Sequence, residues 1–173
     1  MSLHKWILAA TALLSSSFAH AEICQSALPE PIRAYVELGD WTVVHPQDLS
    51  ESDLRFWKNG HPGLCPGVAS GNFHHNSNPT YVIALIQKSG QDILEKVLVV
   101  TVKKNQMNTE IVVPPTTVPS PYVVWSLPPR RYLGIDGANV SIPQDSFAYE
   151  KLVGTSRQYY YHGSELKSFQ MSY

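Results

Sequence analysis

Residues Thr80–Gln87 read Thr-Tyr-Val-Ile-Ala-Leu-Ile-Gln, and this stretch decides the fold class of the chain. Its apolar run is almost uninterrupted, which is typical of a β-strand covered on both faces. Residues Lys88–Asp92 have the composition of a turn, and Leu94–Val102 returns as a second strand rich in β-branched residues. The sequence therefore predicts a β-hairpin.

Further short strands are predicted around this hairpin, at Trp41–Val44, Glu110–Val113, Val140–Ile142, Phe147–Val153, Ser156–Tyr161 and Glu165–Met171. The segment Pro114–Pro129 is different, because it holds six prolines in sixteen residues. Proline cannot donate a backbone hydrogen bond, so this segment is predicted to form neither a helix nor a central strand. Its residues Tyr122–Trp125 can still pair at the edge of a sheet.

Two helices are predicted before the sheet. Prolines are tolerated in the first turn of Pro29–Gly39, and the closing glycine can end that helix. Ser50 is placed to cap a second helix, which Gly60 and Pro62 terminate. We therefore expect one α+β domain, residues 22–173, in which two short N-terminal helices are followed by an antiparallel β-sheet of five to seven strands.

The first 21 residues have the three parts of an export signal. Lys5 gives the start a positive charge, Trp6–Leu14 is apolar, and Ala19-His20-Ala21 is a small-x-small cleavage pattern. The alternative is an N-terminal core helix. Because the apolar run is shorter than the roughly 20 residues that span a bilayer, we expect cleavage before Glu22 and a periplasmic or secreted protein without a membrane anchor.

The two cysteines of the chain, Cys24 and Cys65, both lie in the exported part. An even number of cysteines in an oxidising compartment predicts one disulfide. The alternative is a nucleophilic or metal-bound cysteine, but neither residue has the spacing of a zinc site.

Charge and motif content limit the possible functions. The net charge of −1 gives no electrostatic reason to bind nucleic acid. The sequence has no Gly-x-Ser-x-Gly elbow, no His-Glu-x-x-His motif and no glycine loop for a phosphate. We therefore predict no catalytic residue and no cofactor.

Two groups of residues are compatible with catalysis or with metal binding. Three carboxylates could pair in space as in a glycosidase, namely Glu150, Asp145 and Asp136. A soft-metal site could form from His74 and His75 with His61 or His45, although solvated loop residues are the simpler interpretation.

The segment Gly71–Tyr81 reads Gly-Asn-Phe-His-His-Asn-Ser-Asn-Pro-Thr-Tyr. It resembles the calcium loop of integrin-type FG-GAP or VCBS repeats, whose pattern is Gly-Asp-Phe-Asp/Asn-Gly-Asp-Gly-x-Pro-Asp followed by an apolar strand. Gly71, Phe73 and Pro79 match that pattern in register, as does the strand Tyr81–Ile86. The resemblance implies a small exported bacterial protein in which this segment forms a strand–turn–strand unit.

This loop departs from the family at the positions of the acidic ligands, which are here Asn72, His74, Asn76 and Thr80. Calcium takes six to eight oxygen ligands, usually with carboxylates among them. We therefore expect ion binding at this degenerate loop to be very weak or absent, and we predict no metal.

The sequence favours a non-catalytic exported protein that binds a protein partner, such as a periplasmic inhibitor of a hydrolase or an immunity protein against a toxin. The alternatives are an ion- or glycan-binding module derived from a calcium-loop repeat and a small cell-wall hydrolase. The proline-rich segment is the predicted partner-binding surface. Its anchors are Tyr122 and Trp125, with Arg131 as the adjacent charge, because Trp, Tyr and Arg dominate binding hot spots.

Overall fold

The structure is a computed structural model, and it describes residue 24 and residues 26–74, 78–104 and 106–172. Within these residues there are two α-helices, α1 (Glu30–Glu37) and α2 (Glu51–Gly60). The strands of the described part are β1 (Thr42–Val43), β2 (Val68–Gly71), β3 (Thr80–Ser89), β4 (Asp92–Lys103), β5 (Gln106–Val118), β6 (Val123–Leu127), β7 (Arg130–Leu133), β8 (Asn139–Ile142), β9 (Ser146–Glu150), β10 (Ser156–His162) and β11 (Glu165–Ser172). The predicted signal, residues 1–21, lies outside the described residues.

The strands form three antiparallel sheets. The first has the order β1-β3-β4-β5, with β2 also paired to β3. The second has the order β11-β10-β9-β6, and β7 and β8 form a separate two-stranded sheet. The α+β class is therefore confirmed only in its coarse form, as a mostly β protein with two helices.

Two details of the prediction need correction. The described residues hold eleven strands in three sheets rather than one sheet of five to seven, and β1 lies between the helices instead of after them. One reason is that the proline-rich segment contributes to β5 and β6, which close the edges of two different sheets. An edge strand has one row of backbone groups without a partner strand, so it accommodates proline.

The first two sheets pack against each other around β3 and β4. One face of these strands carries Val82, Ala84, Val97 and Val99, which share a buried cluster with Phe147 and Tyr161 of the second sheet. The other face carries Ile83, Leu85, Leu98 and Val100, which pack with Ile32 of α1 and with both cysteines. Strand β3 is thus covered on both faces, as its apolar run predicts.

The local signals around the second helix are also found in the structure. The Ser50 hydroxyl accepts a hydrogen bond of 3.1 Å from the backbone N–H of Asp53, and α2 ends at Gly60. Trp57 is the buried residue of this helix, and its indole N–H donates to the carbonyl of Leu64 at 3.0 Å.

The predicted disulfide between Cys24 and Cys65 is confirmed. Both cysteines are buried. The bond ties the chain before α1 to the connection between α2 and β2. In the described part of the chain, no helix is long and apolar enough to cross a membrane.

Candidate functional site

The proline-rich segment does not project as a loop. Strand β5 extends through Pro114 and Pro115 to Val118, and β6 begins at Val123. Only four residues connect the two strands, so the predicted anchors are held by sheets rather than by a free loop.

Trp125 lies on β6 and is half-buried. Its indole N–H donates to the Glu150 carboxylate at 3.1 Å, and its ring lies 4.7 Å from that of His61. The His61 ring in turn stacks on Trp57 at 4.3 Å. Burial raises the pKa of Glu150 and lowers the pKa of His61. Trp125 therefore contributes to packing between α2 and the second sheet.

Tyr122 is also half-buried, but it has different partners. Its ring stacks on Tyr149 with centroids 4.7 Å apart. Its backbone N–H donates to the buried Glu95 carboxylate at 3.0 Å. Arg131, the predicted adjacent charge, is exposed on β7 in the separate two-stranded sheet. Trp125, Tyr122 and Arg131 thus lie in three different local environments.

A cleft of about 310 Å³ lies between β5 and the second sheet, with Tyr122 in its wall. We call it the tyrosine cleft; its lining residues are Val113, Tyr122, Tyr149, Thr155, Ser156, Arg157, Tyr159 and Gln170.

The antiparallel register of β9 and β10 explains how the far wall of the tyrosine cleft is built. Arg157 is opposite Tyr149, and Tyr159 is opposite Phe147. Burial decreases along this face of β10, because Tyr161 is buried, Tyr159 is half-buried and Arg157 is exposed. The core between the sheets therefore opens to solvent beside Arg157.

Ring stacking fixes the tyrosines of the cleft. Tyr122 lies against Tyr149, and Tyr159 lies against Phe147 with centroids 5.2 Å apart and planes 7° from parallel. A side chain held in this way loses little further conformational entropy when a ligand binds.

Three buried polar atoms beside the tyrosine cleft have no hydrogen-bond partner among the described residues: Ser156 Oγ, Glu95 Oε1 and Gln158 Oε1. Ser156 belongs to the cleft wall. Glu95 does not, but it holds two residues that do, through the N–H of Tyr122 and the hydroxyl of Tyr149. Burial raises the pKa of Glu95 to about 7, and these two hydrogen bonds oppose the shift. Burial also raises the pKa of Tyr149.

The degenerate calcium loop connects β2 to β3, which pair in antiparallel register from Val68↔Ile83 to Gly71↔Thr80. Phe73 is buried and meets Phe147 edge to face at 5.5 Å. Thr80 is buried at the start of β3. The two strands that flank this loop are therefore paired, and Asn76 lies outside the described residues.

A carboxylate does reach this loop from elsewhere in the fold. Asp145 Oδ2 accepts a hydrogen bond of 2.7 Å from the backbone N–H of Asn72. The His74 ring lies 3.9 Å from that of Tyr161, whose hydroxyl donates to Glu110 at 2.6 Å. Among the residues that the structure describes, no three His, Cys, Asp or Glu side chains form a group that could hold a metal ion.

Sequence reasoning proposed Tyr122 but did not connect it with Glu95, Tyr149 or Arg157. A signal existed for Glu95, since it is the one acidic residue in the mostly apolar stretch Leu94–Val102. Three consecutive tyrosines, Tyr159–Tyr161, marked β10 as aromatic on both faces. Nothing in the sequence marked Arg157, because its place in the cleft depends on the pairing of β9 with β10.

Comparisons with family models, with curated proteins and with solved structures find no match to this chain.

Proposed function

We propose that the chain is an exported, non-catalytic binding protein that acts in the periplasm or outside the cell. The export pattern of residues 1–21 and the Cys24–Cys65 disulfide support this location, because structural disulfides persist in oxidising compartments. The resemblance of Gly71–Tyr81 to FG-GAP loops in small exported bacterial proteins supports it as well.

The observation that carries the binding proposal is the tyrosine cleft. Tyr122 is held twice, by its ring on Tyr149 and by its backbone on Glu95. Fixed, half-exposed aromatic side chains keep most of their burial energy on docking, and tyrosine and arginine are enriched in hot spots. We propose a protein partner, a hydrolase that is inhibited or a toxin that is neutralised, which docks over Tyr122.

Export is tested by intact-mass analysis of the protein recovered from the producing cells. A chain that begins at Glu22 supports the proposal. An uncut chain or a lipid-modified N-terminus contradicts it.

Partner binding is tested by affinity capture from periplasmic extract, followed by purification of the captured protein and titration against it. Tyr122→Ala should weaken binding by about 2 kcal/mol, as expected for a hot-spot residue. Leu133→Ala is the control, since Leu133 is an exposed apolar residue that lies on the separate β7–β8 sheet. Equal losses for both variants would argue against the cleft as the docking surface.

The two alternative functions require different measurements. An ion- or glycan-binding module would show a ligand in calorimetry without any protein partner. A small cell-wall hydrolase would release fragments from purified peptidoglycan, and the Glu150→Gln variant would test its carboxylate.

A further inference from the structure

The tyrosine cleft has the chemistry of a small-molecule site in addition to that of a docking surface. We propose that it binds an acidic saccharide, a pyranose unit bearing a carboxylate, with Arg157 as the partner of the carboxylate. This inference does not depend on the protein partner proposed above.

Arg157 supplies the charge. It is exposed at the cleft and donates from Nη1 to Ser168 Oγ at 3.1 Å. The ion pairs found in the described residues involve other cations, namely Arg33, Lys88 and Lys167. A guanidinium has five N–H donors in a planar fork that matches a carboxylate. Arg157 therefore retains donors for an anionic ligand.

The tyrosines supply the apolar wall. Tyr122, Tyr149 and Tyr159 are each half-buried in the cleft lining. Aromatic rings with polar tips bury the C–H groups of a ligand and still offer hydroxyls for hydrogen bonding. A sugar ring presents both kinds of group together.

The remaining polar residues suit the hydroxyls of a sugar. Thr155 and Gln170 lie in the wall, where the exposed Thr155 hydroxyl and the half-buried Gln170 side-chain amide can each form a hydrogen bond with a sugar hydroxyl.

The size of the cleft and its mixed lining favour a saccharide over an acidic peptide. A volume of about 310 Å³ is at the small end of ligand pockets and suits one or two sugar units. An aspartate or glutamate side chain would pair with Arg157 but would leave Thr155, Gln170 and much of the tyrosine wall without partners.

The test is NMR titration of the isotope-labelled mature protein with digalacturonic acid and with its dimethyl ester, which lacks the negative charges. We expect shift changes at Arg157, Tyr159 and Ser156, and binding of the acid about tenfold tighter than that of the ester, as one charge-assisted contact provides. Arg157→Gln should abolish this preference and leave ester binding unchanged. Tyr122→Ala should weaken both ligands, because the lost ring contacts the sugar in either case.

Arg55→Gln is the matched control, since Arg55 is an exposed arginine on α2, away from the cleft lining. Melting temperatures of all variants establish that each is folded. The absence of shift changes with both ligands would overturn the proposal, and so would equal binding of acid and ester. Tighter, Arg157-dependent binding of a capped Gly-Glu-Gly peptide would overturn it in favour of a protein ligand. Capture of the protein partner is measured separately, so the two proposals can fail independently.

Discussion

Glu95 and Tyr122 are joined by a hydrogen bond of 3.0 Å from the backbone N–H of Tyr122 to the Glu95 carboxylate. Glu95 belongs to β4 of the first sheet, and Tyr122 immediately precedes β6 of the second. Glu95 is fully buried, so this contact joins the two sheets beside the tyrosine cleft through an ionisable group.

The stability of the protein should depend on pH through Glu95. Burial raises its pKa from 4.5 to about 7, so the folded state holds this proton over a range in which the unfolded chain has released it. The contribution of Glu95 to the free energy of unfolding should therefore decrease as pH rises from about 4.5 to 7, by about 3 kcal/mol in all.

Urea unfolding of the wild type and of Glu95→Gln at pH 5 and pH 8 measures this effect. The variant should gain stability relative to the wild type at pH 8, because it places no charge in the core. Histidines with a lowered pKa, such as His45, make the free energy of unfolding increase with pH, which is opposite to the effect of Glu95. Both proteins contain these histidines, so their contribution cancels when the two are compared. Glu165→Gln is the control at an exposed carboxylate. The same pH dependence of the free energy of unfolding in Glu95→Gln and in the wild type would contradict its assignment to Glu95.

Trp125→Ala should destabilise the protein by about 2–3 kcal/mol, less than for a fully buried tryptophan. The substitution removes the ring from His61 and the N–H donor from Glu150. Trp125→Phe keeps an aromatic ring but loses the N–H donor and part of the indole volume, so it should cost about 1–2 kcal/mol. Thermal melts of both variants test the ranking. A Trp125→Ala protein as stable as the wild type would identify Trp125 as an exposed anchor.

The disulfide should contribute about 4 kcal/mol, because it closes a loop with a sequence separation of 41 residues. The Cys24→Ala/Cys65→Ala double variant should therefore melt at a clearly lower temperature. Thiol titration of the non-reduced, denatured wild type should find no free cysteine. Two reactive thiols would show that the bond does not form in the cell.

Calcium at millimolar concentration should leave the melting temperature unchanged. Asp145 is the carboxylate that meets the described part of the loop, and it is already engaged by the N–H of Asn72. Chelator-treated protein serves as the reference. An increase of several degrees that is lost in Asp145→Asn would show that this carboxylate helps to complete an ion site.

Gly67→Ala should strongly destabilise the fold. A Cβ at this position would lie 2.5 Å from the Val44 carbonyl oxygen and 2.7 Å from the Val44 nitrogen, so backbone atoms would have to move. We expect a loss of about 3 kcal/mol. Gly60→Ala at the end of α2 has no atom within 4 Å and should be neutral or slightly stabilising. Similar melting temperatures for the two variants would contradict the close packing of Gly67 against the Val44 backbone.

Local and periodic features of the chain were predictable from the sequence alone. Unbroken apolar character identified β3, a capping serine and a terminal glycine bounded α2, and two cysteines indicated one disulfide. These features depend on neighbouring residues or on composition, and short-range interactions decide them.

Only the tertiary structure decided which strands share a sheet and which side chains meet. The prolines after Val113 exclude a helix and a central strand, but the sequence does not show that they extend β5, which includes them because it lies at a sheet edge, where missing N–H donors cost little. Arg157 lies opposite Tyr149 because of the register in which β9 and β10 pair. Glu95 is hydrogen-bonded to Tyr122, which is 27 residues away in the sequence. Such contacts arise from long-range strand pairing and burial, which no local pattern of residues encodes.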